Sequence, residues 1–397
     1  MTNNLIKTNS RIDIADVLRG LAVMGIIILH AIEHFNFYSY PDTSTQSDLL
    51  NFTDKAIWDS LFFTFGGKAY AVFALLFGFS FFIQDDNERR RGRDFRMRFM
   101  WRLVLLFIIG NFNAMFFTGE ILVLYSLVGF VLVLVCRLPN KVLIAIAILL
   151  LLQPMEWWKL FETLLNPSAE TTGSLAGYYF NEAYKVQENG TFLETARMNL
   201  WEGQLASLTW AWEHGRMFQT AALFIFGMII GRKGLFLYSP QNMKIWVQVL
   251  TISIVCYFPL QGFADMLPEF MENKQALFSA NLIITSLAKF SFMLILLSGV
   301  ILLFYTFDKV RKFLMNFSSY GRMSLTNYLT QSIIGSMLFY NWGFGLHNKL
   351  GITHSFLVGV LLFLIQFVFC HWWMKKHKHG PFEYIWKKAT WIGLNRK

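Results

Sequence analysis

Ten runs of mostly apolar residues punctuate this chain, at about 16–37, 66–84, 100–117, 119–136, 141–157, 216–235, 244–262, 277–305, 323–342 and 352–374. Each is near the length, roughly twenty residues, that a helix needs to cross the hydrocarbon core of a bilayer. The pattern therefore predicts an all-α, polytopic integral membrane bundle of about ten transmembrane helices. The third and fourth runs are tightly joined near Gly119, and the eighth is long enough to tilt. The stretch 158–215 is too long for an ordinary connection. Its segments 178–200 and 200–214 carry Trp201, Trp210 and Trp212 among acids and amides, which predicts amphipathic helices lying at an interface. No heptads, low-complexity runs or solenoid repeats occur, so residues 1–397 read as one transmembrane domain.

The distribution of Lys and Arg orients the bundle. The segment 85–102 holds seven arginines (Arg89, Arg90, Arg91, Arg93, Arg96, Arg98 and Arg102), which predicts a cytoplasmic connection. The amino terminus then lies inside, and every later basic cluster falls on the same side: Arg137 with Lys141, Arg232 with Lys233 and Lys244, and Lys309 to Arg322. The basic tail 375–397 also lies inside, so both ends are cytoplasmic. The connections 38–65 and 158–215 fall outside, the second with seven Glu against three Lys or Arg. A basic lead with Lys7, Arg11 and Arg19 precedes the first run, but no small-residue cleavage site follows, so this is an uncleaved first helix.

Composition agrees with that pattern. Hydrophobic residues make up 55% and charged residues 15%, against roughly 25% charged in a soluble domain. The net charge of +10 is that of cytoplasmic loops facing anionic lipid, not of a nucleic-acid binder. Cys136, Cys256 and Cys370 sit inside apolar runs and suggest neither a disulfide framework nor a zinc cluster. The expected partners are the lipid bilayer of a bacterial inner membrane and no nucleic acid; a homodimer is compatible with such a chain.

Ionisable groups inside a membrane are expensive and point to function. The first run, DVLRGLAVMGIIILHAIEH, is the richest. Arg19 and His30 lie eleven residues apart, three helical turns plus about 20°, so they share a face with His30 about 16 Å further out. Gly20 and Gly25 admit a close helix or ligand. The bland alternative makes Arg19 a positive-inside anchor and His30 a hydrogen-bonded bundle residue. His30, Glu33 and His34 also match the H-x-x-E-H metal pattern, for which Glu120 is the candidate further ligand. Nothing else resembles a protease, so no metal is expected.

Lys68, Asn111, Asn113 and Glu120 are polar groups near the outer ends of the second to fourth helices, with snorkelling the alternative for Lys68. His214 and Arg216 open the sixth helix and face either the interface or an outer substrate. In GRMSLTNYLTQS, Asn327 and Gln331 are four apart on one face, as catalytic lining or as interhelical glue. The arginine cluster is a positive-inside signal or, more sharply, a landing site for donor phosphates.

LRGLAVMGIIILH, KAYAVFALLFG, GEILVLYSLVG, FGMIIGRKG, GRMSLTNYLTQS and HGPFEYIWKKAT resemble the YeiB-like membrane proteins, from about residue 12 to residue 392. That family is grouped with a transmembrane acyltransferase superfamily that includes acyltransferase-3 and heparan-glucosaminide N-acetyltransferase enzymes. The resemblance implies an acyl donor such as acetyl-CoA on the cytoplasmic side and an acceptor in the cell envelope, often a sugar hydroxyl or amine. In the acyltransferase-3 branch an R-x10-H pattern on the first helix is tied to catalysis, and Arg19 to His30 reproduces it. The resemblance thus implies His30, Arg19, Glu33 and Glu120 as catalytic groups. Arg19, Arg322, Asn327 and Gln331 would hold the donor, and His34, Lys68, Asn113 and His214 the acceptor. Many relatives carry Asn at His30, His at Asn113 and Asp at Glu120, so the imidazole has moved between helices here or neither position is essential. The expected activity is acyl transfer across the bilayer. The rival is a transporter or carrier of an envelope precursor, in which the same charges form a relay.

Overall fold

The computed structural model describes residues 12–166 and 173–392; Lys7, Arg11 and the tail beyond Ile392 lie outside the described residues. Among the described residues all regular structure is helical. In chain order the helices are α1 (Asp13–Ile32), α2 (Asp48–Thr64), α3 (Ala69–Arg90), α4 (Arg96–Ala114), α5 (Leu122–Val128) and α6 (Phe130–Val135). They continue with α7 (Asn140–Leu151), α8 (Pro154–Leu165), α9 (Leu175–Asn189), α10 (Phe192–Met198), α11 (Gln204–Glu213) and α12 (Arg216–Lys233). The last six are α13 (Pro240–Phe270), α14 (Lys274–Thr306), α15 (Asp308–Arg322), α16 (Ser324–Phe339), α17 (Ile352–Lys376) and α18 (Pro381–Thr390).

Every apolar run is helical, though not always as one straight rod. The fourth is broken at Gly129 into α5 and α6. The fifth bends by 42° between α7 and α8, where Gln153 takes a left-handed φ of 58° just before Pro154. Five helical segments are long and apolar enough to cross a membrane: α1, the stretch spanning α2 and α3, α13, α14 and α17. A sixth is added if the bent α7–α8 pair is one span. The other apolar helices are shorter or end in charge; α16 has 16 residues, and α12 starts at Arg216 and ends with Arg232 and Lys233. Ile252, Val255 and Phe258 on α13 and Leu361, Ile365 and Val368 on α17 are all exposed. An apolar surface of that extent suits lipid rather than water.

Two helices lie in stretches read from sequence as connections. Asp48, Asp54, Lys55 and Asp59 break the hydrophobic run of α2, but Ser47 caps it by accepting from the Leu50 amide. In α15 the charged residues face outward while Leu314, Phe317 and Tyr320 are buried. The insertion is helical too, with α10 opened by a reciprocal Thr191–Glu194 capping box and a π-helical turn at Asn199–Gly203 leading into α11.

Close backbone contacts order the interior. A methyl group at Gly20 would strike the Phe317 carbonyl of α15, and one at Gly25 the Phe65 ring, so both glycines admit protein. Gly78 of α3 meets the Phe224 carbonyl of α12, and Gly227 of α12 meets the Leu75 carbonyl of α3. Since Phe82 packs at Gly231 and the Arg216 guanidinium reaches Gly67, positions on the two helices rise together. Helices α3 and α12 are therefore parallel, and both begin at the same end of the molecule.

The carboxy-terminal helix is locked to the bundle. The Glu383 carboxylate accepts from the amides of Leu325 (2.7 Å) and Thr326 (3.0 Å) and from the Thr326 hydroxyl (2.6 Å), capping α16 from outside. The Arg102 guanidinium lies 3.9 Å from the centre of the Trp386 ring, and Arg98 donates to the Thr390 carbonyl at 2.8 Å. Other arginines of the cluster are also engaged: Arg91 with Glu88 and Arg96 with Asp94. Those hydrogen bonds from Arg96 hold the Asp94 carboxyl well below its usual range.

Candidate functional site

A cavity of about 700 Å³ opens at the His30 end of α1. Its chemistry falls into two groups, one from the end of α1 and the start of α5, the other from the starts of α3 and α12 and the middle of α14.

The first group holds His30, Glu33, His34 and Glu120, all lining the cavity. His30 and His34 are one helical turn apart and their rings meet edge to face with centroids 5.3 Å apart. Nδ1 of His30 lies 3.4 Å from Nε2 of Gln331 on α16, and its ring packs on Phe117 at 4.7 Å. Glu33 lies 3.5 Å from Nε2 of His34 and accepts from the Tyr38 hydroxyl at 3.3 Å. One potential ligand atom from each of His30, Glu33 and His34 falls within 4.8 Å of the others, so the H-x-x-E-H spacing does gather three metal-binding side chains. Both oxygens of Glu120, the candidate fourth ligand, are taken by the Asn113 amide and the Leu122 backbone N–H.

The second group is cationic. Lys68, just before the first residue of α3, donates to the carbonyls of Phe62 (3.1 Å) and Phe63 (2.7 Å) at the end of α2. Arg216, the first residue of α12, donates to Gln219 at 2.9 Å, and its guanidinium sits 4.6 Å from the Tyr70 ring centre. Lys289 lines the same cavity from α14. Among the described residues none of the three forms an ion pair with a carboxylate. His214 stacks on Trp210 and lines a smaller neighbouring pocket of about 200 Å³ with Arg216 and Lys289. Burial holds the His214 imidazole below its usual pKa.

His30, Glu33, His34, Lys68 and Glu120 thus share one cavity, with Asn113 behind Glu120 and His214 next door. Arg19 does not line that cavity. Its guanidinium donates to Asp16 (2.9 Å) and to the Ser80 hydroxyl (3.0 Å), because α3 presents Ser80 beside it and Asp16 lies one turn back. Sharing a face of α1 therefore does not bring Arg19 and His30 into the same cavity.

The residues expected to hold a donor each have protein partners of their own. Arg322 donates to the Lys378 carbonyl (3.1 Å), and Asn327 donates to the Tyr320 carbonyl (3.0 Å) while accepting from the Cys370 thiol (3.2 Å). Gln331 alone of that set reaches the cavity group, through His30. The sequence reading passed over Lys289, although its signal was present: between Lys274 and Thr306 it is the sole charged side chain of α14.

Residues 230–393 match the family described as "Protein of unknown function (DUF418)". Across nearly its full length the chain is similar to "Uncharacterized protein YxaH" of Bacillus subtilis (strain 168), 27% identical over 97% of this chain and 95% of that one. It is also similar to "Uncharacterized 39.9 kDa protein in amylase 3'region" of Bacillus acidopullulyticus, 26% identical over 99% and 96%. "Uncharacterized protein YeiB" of Escherichia coli (strain K12) is 25% identical over 94% and 95%. No solved structure matches the chain. The carboxy-terminal part is thus similar to that family, and the chain along nearly its whole length to YeiB and YxaH.

Proposed function

We propose that this protein is a ten-span protein of a bacterial cell membrane, with both ends in the cytoplasm, that transfers an acyl group from a cytoplasmic CoA-type donor to an extracytoplasmic acceptor. The observation that carries this reading is His30, an imidazole at the wall of a 700 Å³ cavity with two carboxylates and a second imidazole beside it. An imidazole can take up a proton at one ring nitrogen and give it back, which suits general acid–base chemistry. With its Nε2 lone pair free, His30 takes the proton from an acceptor hydroxyl or amine. The freed oxygen or nitrogen attacks the thioester carbonyl, the C–S bond breaks, and the imidazolium returns the proton to the leaving thiolate. A Glu33 oxygen lies within 4.8 Å of a His30 ring nitrogen, beside the imidazole that takes up the proton.

Arg19, bound to Asp16 and Ser80, would engage the donor from the other end of α1 only after those contacts open. Membranes supplied with labelled acetyl-CoA should acetylate an envelope glycan or lipid, and His30→Ala should abolish that transfer. Transfer at the wild-type rate with His30→Ala overturns the assignment.

A second reading, a carrier of a small molecule or envelope precursor, is favoured by one feature: the cavity is lined at the His30 end and does not include Arg19. Such one-ended access is what an alternating carrier needs. Uptake into proteoliposomes without acyl product selects this reading.

A further inference from the structure

The bond-making step of acyl transfer leaves the cationic half of the cavity unused. A charge withdrawn from water is costly unless an opposite charge compensates it, and ionisable groups within apolar helices mark ligand paths. Here Lys68, Arg216 and Lys289 share one cavity, and a methyl group at Gly67, beside Lys68, would touch both the Arg216 guanidinium and the Lys289 side chain. Among the described residues no carboxylate pairs with any of them, and Lys289 makes no hydrogen bond at all. The parallel packing of α3 and α12 adds to this field. Lys68 stands at the start of one helix and Arg216 at the start of the other, so the two cations meet at the same place, beside the positive dipole end of α12.

We propose that Lys68, Arg216 and Lys289 bind the phosphate group of a phosphate-bearing ligand. Two features favour phosphate over carboxylate. Three cations exceed what one unit of negative charge neutralises, whereas a phosphate monoester carries nearly two. Its three oxygens also offer separate acceptors to an ammonium from α14, a guanidinium from α12 and an ammonium from α3. The phosphate is drawn to the cations, which sets the ligand's direction: phosphate at the cations, with the rest of the ligand toward His30. Phe62, Leu124 and Trp210 supply an apolar wall for an alkyl chain or a sugar face. This extends the acyl-transfer reading by assigning the acceptor to phosphate-bearing molecules, either a lipid phosphate or a soluble phosphate ester. The binding site itself stands apart from the chemistry.

The full chain, purified in neutral detergent, is titrated with dodecyl phosphate, inorganic phosphate and dodecanoate, with binding read by calorimetry. Dodecyl phosphate should bind about tenfold or more tighter than dodecanoate, and Lys289→Gln should weaken it by about tenfold, the effect of one charge-assisted contact. Lys289→Arg should keep it. Since Lys289 bonds to nothing in the protein, its loss orphans no partner; Arg216→Gln is the second test should the first variant unfold. Full competition by inorganic phosphate indicates a soluble ester, and indifference to it a lipid phosphate; either supports the site. The proposal is overturned if neither phosphate binds, if dodecanoate binds as tightly as dodecyl phosphate, or if folded Lys289→Gln or Arg216→Gln binds like the wild type. Phosphate binding by the wild-type chain without any acyl transfer sinks the enzymatic reading and leaves this one intact.

Discussion

Nε2 of Gln331 lies 3.4 Å from Nδ1 of His30, while its Oε1 is buried without a partner. An amide oxygen and nitrogen exchange by a half-turn of the side chain, and the hydrogen-bond network decides between them. With Oε1 turned toward the imidazole, Gln331 accepts from Nδ1–H, which leaves the Nε2 lone pair free as a base. Gln331 is therefore a positioning residue. Gln331→Leu should lower kcat of acyl transfer by about tenfold to a hundredfold, the usual effect of losing an orienting partner, with little change in KM. Gln331→Glu still accepts from Nδ1–H and should retain transfer. Its carboxylate favours the imidazolium, so the acid limb of the pH profile should move to higher pH. A merely structural role would leave that limb in place. Much of this site was legible residue by residue, because a His or Glu in an apolar run stands out. Pairing was not: the contact of His30 with Gln331 joins residues 301 apart, and the capture of Arg19 by Ser80 depends on a helix packing that no spacing on α1 encodes.

At the scale of elements, the contact between α3 and α12 sets the cavity. Gly78 and Gly227 let the two backbones touch, and that approach fixes where Lys68 and Arg216 begin their helices. A methyl group at Gly78 would collide with the Phe224 carbonyl, which as backbone has little room to yield. Gly78→Ala should lower stability by about 1–3 kcal/mol, the range for overpacking, measured as thermal unfolding in detergent. It should also weaken dodecyl phosphate binding by moving one helix start against the other. Wild-type stability in Gly78→Ala would mean that the two helices are not in backbone contact. Helix existence was readable where hydrophobicity runs unbroken, and α13, α14 and α17 follow it closely. It failed at α2 and α15, whose charges disguise amphipathic helices as connections. The tail motif GPFEYIW was recognisable as a pattern, but its physical role, Glu383 capping α16 while Trp386 stacks on Arg102, required the tertiary arrangement.

For the whole molecule, the decisive property is the exposed apolar surface of α13 and α17 set against the arginines at the start of α4. Length and apolarity alone mark five helical segments as able to cross a bilayer, whereas the basic connections alternate as ten spans require. The two counts differ over helices such as α12 and α16, whose charged ends or short length keep them out of the five. Side-specific labelling tests the orientation of the bundle, because the ten-span arrangement places the 38–65 connection outside and the end of α3 inside. Cys136 and Cys370 are buried and only Cys256 is exposed, so Cys256→Ser provides a quiet background. Thr45 and Asn87 are both exposed, one before α2 and the other in the last turn of α3. In that background Thr45→Cys should react with a membrane-impermeant maleimide in intact cells, and Asn87→Cys only after permeabilisation. The reverse result would invert the bundle. It would place His30 and the three cations on the cytoplasmic side, where the phosphate ligand would be drawn from the cytosol rather than from the envelope.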